Sequence, residues 1–324
     1  MKLISVVIPC FNEAGNLPAL AEALRAAAAR EAGRAFEFVI VDDGSTDGTW
    51  EAIGAQSAAD PRVRGVRLAR NFGHQPALLA GISVARGDAV VSMDADLQHP
   101  PELLGEMLRR WEGGAEVVLT CRRDPAELPR FKRATSRWFY RLFRALTGLR
   151  LEDGQSDFRL LDRKAAKTLL SCGDCHLFLR GLVQWVGYRQ AVLTFTAAPR
   201  REGASKYTLG RMARFALDGA LSFSALPLRL SIVPGVVLMG FAALYAAYAV
   251  FVRLFGERLG LTVLPGWASL VVLVVGLFGG VFLQLGVIGE YLSRIYAQVK
   301  NRPRFVIAEF AGGGEGSDPS EGSD

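Results

Sequence analysis

The chain has 324 residues, 50% of them hydrophobic, with 38 basic against 32 acidic side chains and a formal net charge of +6. A mean hydropathy of +0.22 is too high for an ordinary soluble enzyme, and a half-apolar chain of this length excludes a disordered or collagen-like protein. Four cysteines with no secretory h-region argue against a disulfide scaffold and for a reducing compartment.

Residues 1–9 are apolar but too short for a signal peptide and run straight into polar residues, so they read as a buried strand, with Leu3 to Ile8 as its core. An alanine-rich helix is expected from about Leu17 to Ala32, then a strand from Phe36 to Val41 and a helix after Asp47. A strand over Val63 to Leu68, a helix around Gln75 to Ala85 and a strand over Ala89 to Met93 follow. This alternation predicts an α/β domain with a mainly parallel sheet over residues 1–208. Its polar motifs each follow a strand, where open α/β sheets bind ligands, so the loops should converge on one site.

Further along, Phe131, Thr135, Trp138, Phe139, Leu142, Phe143 and Leu146 fall on one helical face, with Arg133, Arg137, Arg141 and Arg144 opposite. That is the pattern of a helix lying on an anionic surface, and equally of a core helix with a solvated basic side. Residues 209–228 read as a second interfacial helix. Residues 230–252 and 267–289 are two charge-free stretches, each long enough at about 1.5 Å per residue to cross a bilayer core of about 30 Å. Together they define a transmembrane region over 229–304. Arg211, Arg214 and Arg229 precede it and Arg294, Lys300, Arg302 and Arg304 close it, whereas the loop between the spans holds only Arg253, Glu257 and Arg258. The positive-inside rule then puts the large domain and both termini on the cytoplasmic side of a multi-pass membrane protein. Glycines 276, 279, 280, 286 and 289 suggest close helix packing and a homo-oligomer. Residues 305–324 form a C-terminal segment whose end, from about Gly312, reads as a disordered acidic tail.

The motifs carry the chemistry. Pro9, Cys10, Phe11, Asn12 and Glu13 end the first strand; Asp42, Asp43, Gly44, Ser45, Thr46 and Asp47 end the second; Asp94, Ala95, Asp96, Leu97, Gln98 and His99 follow Met93. If the last segment stays extended, Asp94 and Asp96 point the same way and can share one hard cation with a diphosphate. Singly, each motif is equally well a strand-end turn. His99 is either a metal contact or a turn residue. Cys172 and Cys175 form a CxxC beside His176, but without a second pair neither zinc nor redox function is expected; Cys10 and Cys121 read as small core residues.

In this order and spacing the chain resembles glycosyltransferase family 2, through VVIPCFNE at 6–13, VDDGSTDGT at 41–49 and MDADLQHPP at 93–101. Within it, NFGHQPALLAGI at 71–82, SDFRLLDR at 156–163 and REGASKYTL at 201–209, followed by two spans, are similar to the polyprenyl-phosphate glycosyltransferases, above all those acting on bactoprenol phosphate. The absence of a QxxRW sequence speaks against a processive polysaccharide synthase. The resemblance implies a GT-A fold, a Rossmann-like α/β nucleotide-sugar-binding domain. It implies that Pro9, Asn12, Glu13, Asp42, Asp43 and Asp94 line the nucleotide sugar, and that Asp94, Asp96 and Gln98 hold the metal and diphosphate. Mg²⁺ or Mn²⁺ suits such an all-oxygen set.

Arg122, Lys132, Arg133, Ser136, Arg201, Ser205 and Lys206 are the candidates for binding the diphosphate or a lipid phosphate. Asp157 matches the family's catalytic base, and Asp96 and Asp157 are the two catalytic candidates. A phosphate monoester is mostly doubly ionised at neutral pH and needs little help from a base, so Asp157 is equally an orienting group. Arg159 is expected to pair with a carboxylate or phosphate. The expected reaction is an inverting transfer, UDP-glucose being the first choice of donor, onto undecaprenyl phosphate in the lipid bilayer. GDP-mannose, UDP-N-acetylhexosamine or an aminoarabinose donor would use the same motifs. A non-catalytic membrane scaffold or a flippase subunit is the rival of another class. No nucleic-acid module is visible, so no nucleic acid is expected as a partner.

Overall fold

The computed structural model describes residues 1–123, 154–174, 178–196, 228, 232–259 and 266–312. The chain divides into two units, Met1–Thr208 with Arg302–Asp324, and Leu209–Asn301. The expected surface helices at 131–146 and 209–228 lie outside the described residues apart from Leu228, as does the tail after Gly312.

The first unit is built on a sheet of β1 (Lys2–Cys10), β2 (Arg34–Asp42), β3 (Val63–Leu68), β4 (Ala89–Ser92), β5 (Val117–Arg123), β6 (Gln155–Asp162), β7 (Gln190–Thr196) and β8 (Ile307–Ala311). Their order is β7-β5-β6-β4-β1-β2-β3-β8. The pairs β1–β2, β1–β4, β2–β3 and β5–β7 are parallel, while β4–β6, β5–β6 and β3–β8 are antiparallel. The helices are α1 (Leu17–Ala29), α2 (Thr49–Ala59), α3 (His74–Val84), α4 (Leu104–Glu112), α5 (Arg163–Ser171) and α6 (Leu179–Trp185).

The sequence explains this layering. β1 is buried continuously from Ile4 to Cys10, as expected of a central strand covered on both faces. Ile4, Val6 and Ile8 join Leu17, Leu20 and Leu24 of α1 and Met107 and Leu108 of α4 in one core. On the opposite face α3 lies so close that a Cβ on Gly81 would fall 2.2 Å from Val7 Cγ1. Helix α1 carries Pro18 in its first turn and buries Leu17, Leu20, Ala21, Leu24, Ala27 and Ala28, the stripe of an amphipathic helix.

Helix α1 stops at Ala29, short of the expected Ala32, and β4 ends at Ser92. The segment from residue 305, read from sequence only as a stretch ahead of the tail, supplies β8 on the free edge of β3. This covers an edge that would otherwise present unpaired backbone groups.

The second unit holds α7 (Ile232–Leu259) and α8 (Trp267–Val299). Within them Ile232–Val252 and Leu273–Val299 are long and apolar enough to cross a membrane, and only 6% and 0% of the most apolar stretch is buried. Apolar surface this exposed is not that of a soluble core helix. A Cβ on Gly280 would lie 2.9 Å from Leu238 Cδ1, and one on Gly235 3.1 Å from Gln284 Nε2, so the two helices approach where side chains are absent.

Candidate active site

β1 lies between β4 and β2, which places a topological switch point at the carboxyl ends of these strands. The three predicted motifs leave the sheet there. Because β6 is antiparallel to β4 with Ser92 opposite Arg159, continuing the register by two residues brings Asp157 level with Asp94. β5 is antiparallel to β6, so its end delivers Arg122 to the same edge, where Arg122 Nη1 donates to Gln98 Oε1 at 3.3 Å.

The loops after β1 and β2 form one cross-tied unit. Asn12 adopts a left-handed φ of 56°, its N–H donates to Ser45 Oγ at 2.9 Å, and its Oδ1 accepts from Thr46 N–H at 3.0 Å. Glu13 N–H donates to Thr49 Oγ1 at 2.9 Å, and the Glu13 carboxylate accepts from Asn16 Nδ2. Pro9 pairs in register with Val41. Asp42 is fully buried: Oδ1 accepts Ser45 N–H at 2.9 Å, while Oδ2 has no hydrogen-bond partner and sits 3.6 Å from Arg67 Nε. Asp43 turns the other way and accepts the N–H groups of Phe72 at 2.7 Å and Gly73 at 2.9 Å, latching the loop before α3. Burial pushes the Asp43 carboxyl up, against the pull of those two N–H groups. Gly44, at φ 68°, is obligatory, because a Cβ there would sit 2.5 Å from the Arg70 carbonyl carbon. Burial, with the charges of Glu13, Asp42 and Asp94, raises the Cys10 thiol and keeps it protonated.

The loop after β4 is not extended. It turns at Ala95 and Asp96, and Leu97 has a φ of 59°, so the expectation that Asp94 and Asp96 project alike from a straight segment does not hold. His99 causes the fold-back. Its Nδ1 accepts the Asp94 N–H at 3.0 Å, its Nε2 meets Ser156 Oγ at 2.7 Å, and its ring stacks on Phe158 with centroids 5.1 Å apart. Nδ1 being an acceptor places the proton on Nε2, and burial lowers the His99 pKa despite Asp94, Asp96 and Asp157. His99 is thus a buried prop for the loop, with both ring nitrogens engaged. His74 Nε2, at the start of α3, lies 2.8 Å from Asp94 Oδ1. Burial would lower the His74 pKa, but the Asp94 contact and the charges of Asp94 and Asp157 raise it. Burial likewise raises Asp94, and the His74 hydrogen bond with the charges of His99 and His74 brings it below its ordinary value.

Asp157 is gripped by two arginines. Arg159 Nη2 contacts Oδ1, while Arg180 forks onto the carboxylate, Nε to Oδ1 at 3.2 Å and Nη2 to Oδ2 at 2.8 Å. Burial pushes its pKa up, but the charges of Arg159 and Arg180, the Arg180 hydrogen bonds and His74 hold it well below the usual carboxylate range. Such a carboxylate is a weak base.

Among the described residues no group of three His, Cys, Asp or Glu side chains stands ready to cage a metal ion. Asp94 and Asp96 on one turn, with Gln98 beside them, still offer hard oxygen donors, and Asp96 Oδ1 accepts the Gln98 N–H at 3.1 Å, which fixes the turn. This set fits an ion such as Mg²⁺ that takes one or two carboxylates and completes its shell with substrate phosphates.

Lys132, Arg133, Ser136, Arg201, Ser205, Lys206, Cys175 and His176 lie outside the described residues. Sequence reasoning overlooked His74 and Arg180. His74 stood in the quoted 71–82 stretch, whereas Arg180, in an apolar run, carried no local signal.

The model of the family "Glycosyl transferase family 2" matches residues 5–183. The chain belongs to that family. This glycosyltransferase has the family's GT-A fold, a mixed and mostly parallel α/β sheet. It is similar to the uncharacterized glycosyltransferase YkcC of Bacillus subtilis, 37% identical over 95% of this chain and 94% of that one. The uncharacterized glycosyltransferase sll0501 of Synechocystis is 38% identical over 95% of this chain and 96% of that one. The SfII prophage-derived bactoprenol glucosyl transferase of Shigella flexneri is 36% identical over 94% of this chain and 97% of that one.

Proposed function

We propose that this glycosyltransferase moves a sugar, with inversion, from a nucleotide donor to the phosphate of undecaprenyl phosphate at the cytoplasmic face of the membrane, with UDP-glucose as the first choice of donor. The observation that carries the reading is the convergence of the Asp42 loop, the Asp94–Gln98 loop and Asp157 at one edge of the sheet, in a chain that also bears two exposed apolar helices. Relatives named bactoprenol glucosyl transferase match it along 94% of its length, which supports a lipid-phosphate acceptor. On this reading residues 1–208 are the catalytic domain, 209–228 an interfacial helix and 229–304 the membrane region of a homo-oligomer.

Pro9, Asn12, Glu13 and Asp42 line the nucleotide, where Asp42 Oδ2, which accepts no hydrogen bond and faces Arg67 at 3.6 Å, is an acceptor for a base or ribose donor. An acceptor phosphate oxygen bonds to the anomeric carbon from the face opposite the diphosphate, and the sugar–oxygen bond pair departs with the nucleoside diphosphate. Asp94 and Asp96, with Gln98, would hold a divalent ion, which would supply Lewis-acid stabilisation of that departing charge. Asp157 abstracts no proton here, because the acceptor phosphate arrives ionised and the arginines hold the carboxylate too weakly basic. It keeps two guanidiniums in place beside the reacting groups.

The test is direct. Purified full-length protein with Mg²⁺ is incubated with polyprenyl phosphate and a panel of labelled nucleotide sugars, and lipid is extracted. Labelled lipid from UDP-glucose is the expected result. Label from another donor alone replaces the sugar, and no labelled lipid from any donor overturns the function.

A further inference from the structure

Three charged side chains stand in a row across one edge of the sheet. Asp42 of β2 is in register with Arg67 of β3, and Arg67 in turn with Glu309 of β8. The order of charge is minus, plus, minus, and side-chain exposure rises outward through 0%, 35% and 55%. Covering the β3 edge needs only the backbone of β8, so that task leaves the Glu309 carboxylate unexplained.

Arg67 is divided between the two acids. Its Nε lies 3.6 Å from Asp42 Oδ2, and its Nη1 lies 3.6 Å from Glu309 Oε2. Both are ion pairs at a distance too long for hydrogen bonds. The guanidinium also sits 5.7 Å from the centre of the Trp50 ring of α2. Gly65, two residues back on the same face of β3, leaves room for that indole: a Cβ there would fall 3.2 Å from Trp50 Cζ3. A guanidinium beside a single carboxylate closes to about 2.7 to 2.9 Å. Here a second carboxylate pulls from the opposite side, and Asp42 Oδ2 accepts no hydrogen bond although it is buried. Arg67 is thus the cation that competes with a ligand for this oxygen, and Glu309 is the group that restrains it.

We propose that Glu309 is a positioning residue of the nucleotide site: by sharing Arg67 it keeps Asp42 Oδ2 open to an N–H or O–H donor of the nucleoside. The proposal rests on the reading of Asp42 as a nucleotide-lining residue. A strand that follows the last long apolar helix would then act on the donor pocket through one arginine, without touching the nucleotide.

The experiment uses full-length protein in detergent, with UDP and GDP as probes measured by calorimetry on wild type, Glu309→Asp, Glu309→Gln and Glu309→Lys. Glu309→Gln releases Arg67 toward Asp42 and should weaken UDP binding about 5-fold, the scale of one net hydrogen bond. Glu309→Lys repels Arg67 and should lose at least as much, while Glu309→Asp keeps the charge and should keep most of the affinity. The thermal melts should all match the wild type, because an exposed ion pair contributes little to stability. In the transfer assay the donor KM should rise while kcat holds. In an Arg67→Gln background, adding Glu309→Gln should cost no further affinity, since the competing cation is already gone. UDP affinity within about 2-fold of the wild type in both Glu309→Gln and Glu309→Lys overturns the proposal, as does an undiminished loss in the Arg67→Gln background. Losses that follow the melting temperature rather than the charge at position 309 also overturn it. If the wild type binds neither UDP nor GDP, the nucleotide reading itself falls and this proposal with it; if it binds one of them and the series is flat, only the role of Glu309 falls.

Discussion

The loops after β2 and β4 both carry paired aspartates, and they spend them differently. After β2, Asp43 is consumed by two backbone N–H groups and serves as a latch, while one buried oxygen of Asp42 accepts no hydrogen bond and faces Arg67. After β4 the backbone is held by His99, and the carboxylates of Asp94 and, across the sheet, Asp157 are balanced by His74, Arg159 and Arg180. The first loop is thus organised by backbone hydrogen bonds, the second by charge. Identical residue types a strand apart take opposite roles because their partners come from different elements.

The largest effect should come from the charged loop. Asp96→Asn is expected to lower transfer to labelled lipid by at least about 10²-fold, the scale of losing a preorganised charge stabiliser. Its thermal melt should match the wild type, and a variant that keeps more than a tenth of the activity would place the diphosphate charge elsewhere.

Asp157→Asn should also lose activity, because both guanidiniums lose their anchor. Its initial-rate pH profile should keep the wild-type shape. A large alkaline recovery of rate would restore Asp157 as a base. The same depressed pKa fixes the sign of its stability term. A carboxylate below its unfolded value of about 3.9 contributes fully above that pH and loses the contribution only as pH falls through the folded value. Between pH 5 and 9 its titration therefore leaves the melting temperature unmoved, and acid melts are the measurement.

In the latch loop the expected losses are of stability before activity. Gly44→Ala combines a positive φ with a Cβ 2.5 Å from backbone and should cost about 2 kcal/mol or more. Asp43→Asn sets an amide against one of the two N–H donors and should cost about 1 to 3 kcal/mol. Thermal unfolding reads both. If Asp43→Asn weakens UDP binding by 10-fold or more with the melt unchanged, Asp43 touches the nucleotide after all and the contrast between the loops collapses.

Much of the fold was legible. Val63 to Leu68 is a strand at the expected bounds, and the alternation of strand-like and helix-like segments produced the parallel half of the sheet. Local periodicity suffices there because each element buries its own stripe. β8 escaped, because an Ile-Ala-Glu-Phe-Ala segment has weak alternation and acquires strand geometry only from the edge of β3. His99 was visible as a residue but not as a prop, since its partners Ser156 and Phe158 lie on β6.

By itself the sequence determined the class of the molecule: strand-terminal acidic motifs in a fixed order, and two apolar stretches long enough for a bilayer. Those are properties of composition and spacing along the chain. Only the tertiary structure decided what each carboxylate does. An aspartate's role depends on the donors within about 3 Å of it, and for Asp43, Asp94 and Asp157 these come from residues 20 or more positions away, joined for Asp157 by Arg159 two places along the same strand.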